Sequence, residues 1–318
     1  MALYLVTGGA GFIGSHLVRN LVTRGEKVRV IDNFLTGSRD NLGDVLKEID
    51  LIEGDIRDAS LMRKAMNGVR YCLHQAALPS VPRSIEDPEG ANDINVNGTL
   101  TVLLAARNAR IDRFVYASSS SVYGDSPVLP KREDMPTQPL SPYAVNKLAG
   151  ELYTRIFYSL YGLPTVSLRY FNVFGPGQNP DSPYAAVVPI FLSAMLKGKP
   201  ASIHGDGEQS RDFCQVENAV SANLLACAAP VECVAGKVYN IACGESHTIN
   251  DLVRKLNEIL GTQLHPIHDA PRTGDVRDSL ADIALARSDL GYEPLVRFGE
   301  GLGRTVEWFL RGRSRATG

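Results

Sequence analysis

The stretch Thr7-Gly-Gly-Ala-Gly-Phe-Ile-Gly14 follows directly on the apolar run Leu3 to Val6, and Ile13, Leu17, Val18 and Leu21 then recur at helical spacing until Gly25. The pattern reads strand, tight glycine turn, helix. Gly8, Gly11 and Gly14 let the backbone turn sharply, approach a pyrophosphate and pack helix on strand, while the helix N-terminus offers N–H donors and positive dipole to the anion. Phe12 and Ile13 complete this turn as candidate cofactor contacts. A second strand, Lys27 to Ile31, ends in Asp32, eighteen residues after Gly14. An acid there, with Asn33 beside it, suits the ribose hydroxyls of NAD and would repel a 2′-phosphate. The expectation is an α/β fold, a doubly wound parallel sheet (Rossmann) that binds a dinucleotide.

Outward from this unit the alternation of strand and helix signals continues. Leu61 to Met66 reads as a short helix, and Leu100, Leu103, Leu104 and Arg107 mark another after Thr99. Arg113 to Ala117 is a fifth strand that delivers Ser118 to Ser121 at its carboxyl end, where open parallel sheets bind ligands. Ser141-Pro-Tyr-Ala-Val-Asn-Lys147 then opens a helix running to about Tyr161: Ser141 can cap it and Pro142 is pre-set for its first turn. Tyr143 and Lys147, at i and i+4, share a face. A phenol with an ordinary pKa near ~10 is a poor base, and a fixed neighbouring cation favours its phenolate. The pair reads as general base plus tuner. Leu148, Leu152 and Ile156 form an apolar stripe on the same helix, read as core. Thr165 to Leu168 is a sixth strand, leading into Arg169-Tyr-Phe-Asn-Val173.

Composition narrows the function class. The 318 residues are 44% hydrophobic and 21% charged, enough for one large core with a smaller companion. A net charge of -2 gives no basic stripe for nucleic acid or an anionic membrane. No apolar run approaches the roughly 20 residues that span a bilayer, and Met1 leads straight into a strand without a charged leader, so the expected location is cytoplasmic. Five cysteines without a Cys-x-x-Cys read as reduced, packed thiols. His265 and His268 lack companion ligands, so no metal is expected. Asp206 and Asp212 read as turn formers. At Gly175-Pro-Gly-Gln-Asn-Pro180 the composition shifts to turn residues. The domain change is placed there: 1–174 as the NAD-binding domain and 175–318 as a smaller C-terminal α/β substrate domain, with about 212–240 returning to the first. Tyr184 to Leu196 and Thr248 to Leu260 read as helices, the second with Ser246, Thr248 and Asn250 as cap choices, and Ser202 to His204 as a strand.

The Gly-x-x-Gly-x-x-Gly spacing from Gly8 and the Tyr143-x-x-x-Lys147 pair together resemble the extended short-chain dehydrogenase/reductase family, along almost the whole chain. The resemblance implies that Asp55 and Ile56, after the third strand, contact adenine. It places Gln75, Ala76 and Ala77 of Leu73-His-Gln-Ala-Ala77 at the cofactor, with Asn95 and Tyr170; His74 itself reads as a half-buried strand-end residue. Ser119, three before Val122-Tyr-Gly124, would donate to the sugar oxygen, and Asn172 would set an amide on the substrate phosphate. Related dehydratases and decarboxylases carry acids within this serine segment. Ser120 and Ser121 are neutral, so elimination or loss of a carboxylate has no evident proton carrier. Redox at one carbon is what remains. Family members also pair the helices after Thr99 and Pro142 across a two-fold axis, which implies a homodimer.

Within the family the chain is similar to UDP-N-acetylglucosamine 4-epimerases and UDP-glucose 4-epimerases. It shares Ser80-Val-Pro-Arg-Ser84, Leu140-Ser-Pro-Tyr-Ala-Val145, Tyr184-Ala-Ala-Val187, Ser210-Arg-Asp-Phe-Cys214 and Gly274-Asp-Val-Arg277 with the former. The resemblance implies NAD-dependent 4-epimerisation of a UDP-hexose through a transient 4-keto sugar. Tyr143 takes the 4-hydroxyl proton and Ser119 steadies the oxygen. Arg211 and Arg272, with Arg277, converge on the diphosphate, a geometry guanidinium suits. Asp275 faces the uridine ribose, and Ser80 and Val188 are further substrate contacts. Ser279 stands where relatives confined to UDP-glucose and UDP-galactose carry a bulky aromatic, leaving volume for an N-acetyl group. Pro82 stands where relatives acting on UDP-glucuronate carry an arginine. Other epimerases or 4-ketoreductases of UDP-glucuronate or dTDP-hexoses, and a non-catalytic NAD-binding module, stay open at this point.

Overall fold

A computed structural model of the chain describes residues 1–180, 186–270 and 276–316, with side chains to residue 311. Arg272, Asp275 and the Tyr184 start of the expected helix lie outside the described residues. Seven parallel strands form the central sheet in the order Lys237–Ile241, Thr165–Tyr170, Arg113–Ser119, Tyr71–His74, Leu3–Thr7, Lys27–Asp32, Asp50–Glu53. Winding reverses between Leu3–Thr7 and Tyr71–His74, and the crevice outside the carboxyl ends there is where such sheets bind ligands.

The strands are apolar on both faces because helices cover both. Alternate residues part company: Tyr4, Val6, Val28, Val30, Leu73 and Val115 join one buried cluster, and Leu5, Ile31, Cys72, Phe114 and Tyr116 the other. Helices Phe12–Thr23 and Val216–Ala228 close the first face through Leu17, Val18, Leu21, Ala219 and Ala222. Gly98–Ala109, Ala59–Ala65 and Pro142–Tyr161 close the second through Val102, Leu103, Met62 and Phe157. A third cluster gathers Val187–Leu196, Ile249–Leu260 and Phe298–Ala316 around Phe191, Leu192, Leu252, Leu256 and Leu302. Among the described residues no helix is long and apolar enough to cross a membrane.

Several expectations change. The fifth and sixth strands run on to Ser119 and Tyr170, because Ser118 pairs with Arg169 and Ser119 with Tyr170. The helix with three open cap choices starts after Thr248, whose hydroxyl accepts from Asp251 N at 2.9 Å while Asp251 Oδ2 accepts from Thr248 N at 3.1 Å. The apolar stripe of Pro142–Tyr161 is not core: Leu148 packs partly, but Leu152 and Ile156 are 52% and 45% exposed. This helix instead buries small and polar residues, Ala144, Lys147, Gly150, Glu151 and Thr154. A Cβ on Gly150 would stand 2.1 Å from the Tyr116 hydroxyl. Asp212 is not a turn former but is wholly buried, accepting from Cys243 N, Gly244 N and Ala281 N and so joining three segments. His74 is fully rather than half buried, held between Thr7 Oγ1 at 2.7 Å and Thr99 Oγ1 at 2.9 Å.

Candidate active site

The glycine turn and the strand ends border a cleft of ≈ 830 Å³. Gly8 has φ 67°, and a Cβ on it would lie 2.7 Å from the Ala76 backbone. A Cβ on Gly14 would lie 2.1 Å from Gly8 O. Gly11 stands at the N-cap of Phe12–Thr23, with no side chain capping that helix. Its first N–H groups are thus not claimed by a cap, the arrangement a pyrophosphate uses. Asp32 sits buried at its strand end, accepting from Ala10 N at 2.9 Å and Phe34 N at 2.8 Å. Burial pushes its carboxyl up and these two bonds pull it back, so the charge is anchored while further lone pairs can take hydroxyls. Glycine cradle, helix terminus and anchored acid together fit a nicotinamide dinucleotide without a 2′-phosphate.

Of the sequence candidates, Gly8, Gly11, Phe12, Ile13, Gly14, Asp32, Asn33, Asp55, Ile56, Gln75, Ala76, Ala77, Ser80, Tyr143, Lys147 and Tyr170 line this cleft. Two of them are engaged elsewhere than expected. Asp55 is gripped by Arg57 and Asn33, and the Arg57 hydrogen bond first of all holds its carboxyl at about 2. Ser80 caps Val81–Glu86 by accepting from Arg83 N. Asn95 is buried outside the lining: its Oδ1 accepts from Leu78 N at 2.7 Å and its Nδ2 donates to Leu78 O at 3.3 Å. These bonds fix the Leu78 main chain, which does line the cleft. Two residues that the sequence reading passed over belong here. Asn223 Nδ2 donates to Tyr170 Oη at 2.7 Å and its Oδ1 accepts from Gln75 Nε2 at 3.1 Å. Gln178 lines the cleft from the turn after Gly177. The available signal for Asn223 was a polar residue on the apolar face of Val216–Ala228.

At the other end of the cleft Ser141 caps Pro142–Tyr161, accepting from Ala144 N, and Ser84 Oγ accepts from Tyr143 N at 3.0 Å. Lys147 Nζ lies 5.8 Å from the Tyr143 ring centre and donates to Ala117 O at 2.8 Å. Burial pushes the Tyr143 phenol up to about 12, with the Ser119 hydroxyl pulling it down. Burial also brings Lys147 down to about 8, against the pull of Glu151. Burial is thus the larger influence on the phenol, and the group that counters it is the Ser119 hydroxyl. The oxygens of Ser119 and Tyr143 can share and pass a proton, and no carboxylate stands at positions 120 and 121.

A smaller cleft of ≈ 460 Å³ meets the first at Ala186 and is lined by Asn172, Val188 and Arg211 with apolar walls from Phe191 and Phe213. Arg211 Nη1 donates to Ser210 O at 2.7 Å and Arg277 O at 3.1 Å. Arg277 does not converge with it. Its guanidinium is spent on Asp206, at 3.1 and 3.0 Å, on the exposed side of the loop. Ser279 is buried, its N donating to Ser210 O, and borders neither cleft. Arg272 and Asp275, as stated, lie outside the described residues. Among those residues no cluster of metal-ligating side chains occurs.

The chain is 38% identical to the UDP-glucose 4-epimerase of Mycolicibacterium smegmatis, over 96% of this chain and 97% of that one. Its fold is similar to a UDP-N-acetylglucosamine 4-epimerase from Methanobrevibacter ruminantium in complex with UDP-N-acetylmuramic acid: TM-score 0.93, 40% identity, 98% of this chain and 99% of that one. A UDP-glucose 4-epimerase from Thermotoga maritima with UDP-glucose matches at TM-score 0.93 and 38% identity, over 98% and 99%. A family model described as "NAD dependent epimerase/dehydratase family" matches residues 4–242, which hold the glycine cradle, Asp32, the serine segment and the Tyr143–Lys147 pair. With three-quarters of the chain inside that match, the protein belongs to the NAD dependent epimerase/dehydratase family.

Proposed function

We propose that the chain interconverts the C4 epimers of UDP-hexoses with NAD, acting on UDP-N-acetylglucosamine and UDP-N-acetylgalactosamine and also on UDP-glucose and UDP-galactose. One observation carries the reading: Tyr143 and Lys147 line the cleft of the dinucleotide cradle and the Ser119 hydroxyl bonds the Tyr143 phenol, with no carboxylate in the serine segment. A site so equipped can move one proton and two electrons at one carbon but has no acid for elimination. When bound, NAD supplies the acceptor and then the donor of the C4 hydride, and a positive charge that favours the phenolate. The protein's own part is to hold it on Gly8, Gly11, Gly14 and Asp32, and to pass the 4-hydroxyl proton between Ser119, Tyr143 and the sugar. Arg211, Asn172 and Val188 would seat the UDP in the smaller cleft, with Arg272 and Asp275 as further partners, so that the keto sugar can turn over without leaving. Both the N-acetylated and the plain substrate are included because each appears in the names of neighbours at similar identity.

The test is proton NMR of the purified protein without added cofactor, incubated with UDP-N-acetylglucosamine and separately with UDP-glucose. Epimer signals should appear in both. Turnover only at the expense of added NAD(H) would instead mark a reductase. The domain assignment that accompanies this reading keeps 1–174 with helix Val216–Ala228 and strand Lys237–Ile241 on the cofactor side, and the rest of 175–318 on the sugar side. Five free cysteines, four of them buried, suit a reducing cytoplasm. The exposed Leu104, Val145, Leu152 and Ile156 on two packed helices support a homodimer. Sedimentation should give twice the chain mass, and Leu152→Glu should halve it; a parent mass that is already single ends the dimer.

A further inference from the structure

Lys147 is 4% exposed, and an ammonium so buried loses its charge unless something opposes the desolvation. The groups that face it are Tyr143 and Glu151 on its own helix and Tyr116 and His74 from the adjoining strands. Burial pushes Tyr143 and Tyr116 up and pulls His74 down to about 3, so all three are neutral near pH 7. Among the described residues this leaves Glu151 as the negative group. It stands one helical turn beyond Lys147 and is buried at 4% exposure.

That carboxylate is fixed from two other strands. Arg169 grips it through Nε at 2.9 Å and Nη2 at 2.8 Å, and Ser118 Oγ donates to its Oε1. Arg169 itself lies 4.6 Å over the Tyr123 ring. Ser118 immediately precedes Ser119, and Arg169 immediately precedes Tyr170, which lines the cofactor cleft. One carboxylate thus ties the helix of Tyr143 and Lys147 to the two strand ends that carry the rest of the site. A buried ion pair is weak as a source of stability, which leaves its presence here to be explained by something else.

We propose that Glu151 is a positioning residue for the reaction: clamped by Arg169 and Ser118, it keeps the Lys147 ammonium charged and holds Ser119 in register with Tyr143. Only the use made of that charge rests on the epimerase reading; the charge itself is measurable in a protein that turns nothing over.

The experiment is a 15N-lysine NMR titration of the full chain, with the Lys147 signal assigned by its absence in Lys147→Arg. In Glu151→Gln the Lys147 midpoint should fall by about one pH unit or more, a tenfold loss of proton affinity, because the attraction is gone and Arg169 is left unpaired. Glu151→Met with Arg169→Met removes both charges and leaves no lone buried ion, so it is the variant to use if the single one does not fold. Its midpoint should also fall, by less. The alkaline limb of the kcat profile should move down with the midpoint while KM for the UDP-sugar holds. A Lys147 midpoint equal to the parent's in either folded variant overturns the proposal, as does a double variant that falls further than the single one.

Discussion

The two ends of the main cleft are built by opposite means. At the glycine end the ligand-facing surface is main chain, and side chains matter by their absence: a methyl on Gly8 would strike the Ala76 backbone and one on Gly14 would strike Gly8 O. At the tyrosine end the surface is ionisable side chains, and burial sets their state, raising Tyr143, lowering Lys147 and locking Glu151 to Arg169. A site that must hold a large anion through many turnovers gains from rigid N–H donors that cannot titrate. A site that must give and take a proton needs groups whose charge can change. The difference separates retention from chemistry, and each end should be breakable alone.

The sharpest break is Tyr143→Phe. Removing the hydroxyl that partners Ser119 should cost about 10²–10⁴ in kcat, the usual worth of a placed acid–base group, while the NAD carried through purification stays at the parent level. Loss of both together would mean that the ends are not separable. Gly14→Ala is the converse. Its Cβ has only backbone to meet, at 2.1 Å from Gly8 O and 2.8 Å from Gly9 Cα, so the turn itself must shift. Overpacking of this kind costs about 1–3 kcal/mol, read as a lower Tm, and should empty the protein of NAD while added NAD restores part of the turnover. A variant that keeps its cofactor would show that the cradle tolerates what the geometry forbids.

The same contrast governs what could be read from the chain. The glycine end is local: eight consecutive residues and an acid eighteen further on specify it, and the strand, turn and helix stand where that spacing puts them. Tyr143 and Lys147 were also legible, since one helical turn suffices to bring them together. Their protonation was not, because desolvation depends on Tyr116 and on strands far away in sequence. Leu152 and Ile156 show the limit of periodicity, which defines a face but not what lies against it. Here the buried face is the polar one, closed by an ion pair whose partners are 18 residues apart. Arg277 departs from its expected place for the same reason. Where its guanidinium points is decided by Asp206, 71 residues away, which no local pattern brings into view.

Between the two ends lies a seam that belongs to neither, and it should give the smallest effect. Asn223 is wholly buried, and its amide links Gln75 of the glycine side to Tyr170 of the tyrosine side. Tyr170 Oη also donates to Gln75 Oε1 at 3.3 Å, so the three side chains close a ring. Asn223→Ala would leave Gln75 Nε2 without its acceptor, whereas the Tyr170 hydroxyl could keep its bond to Gln75. Stranding a fully buried donor costs about 1–3 kcal/mol; Gln75 is only part-buried and borders the cleft, which argues for the lower end of that range. The loss should appear in thermal unfolding. Because Gln75 and Tyr170 both border the cleft, NAD release should quicken a few-fold, by roughly the 1.4 kcal/mol per tenfold that relates energy to an equilibrium. Neither the Tyr143 proton chemistry nor the Gly14 turn contains Asn223, so the alkaline limb of the pH profile should stay in place. A shifted limb with unchanged release would place the seam on the tyrosine side, and the separation of the two ends would need to be redrawn there.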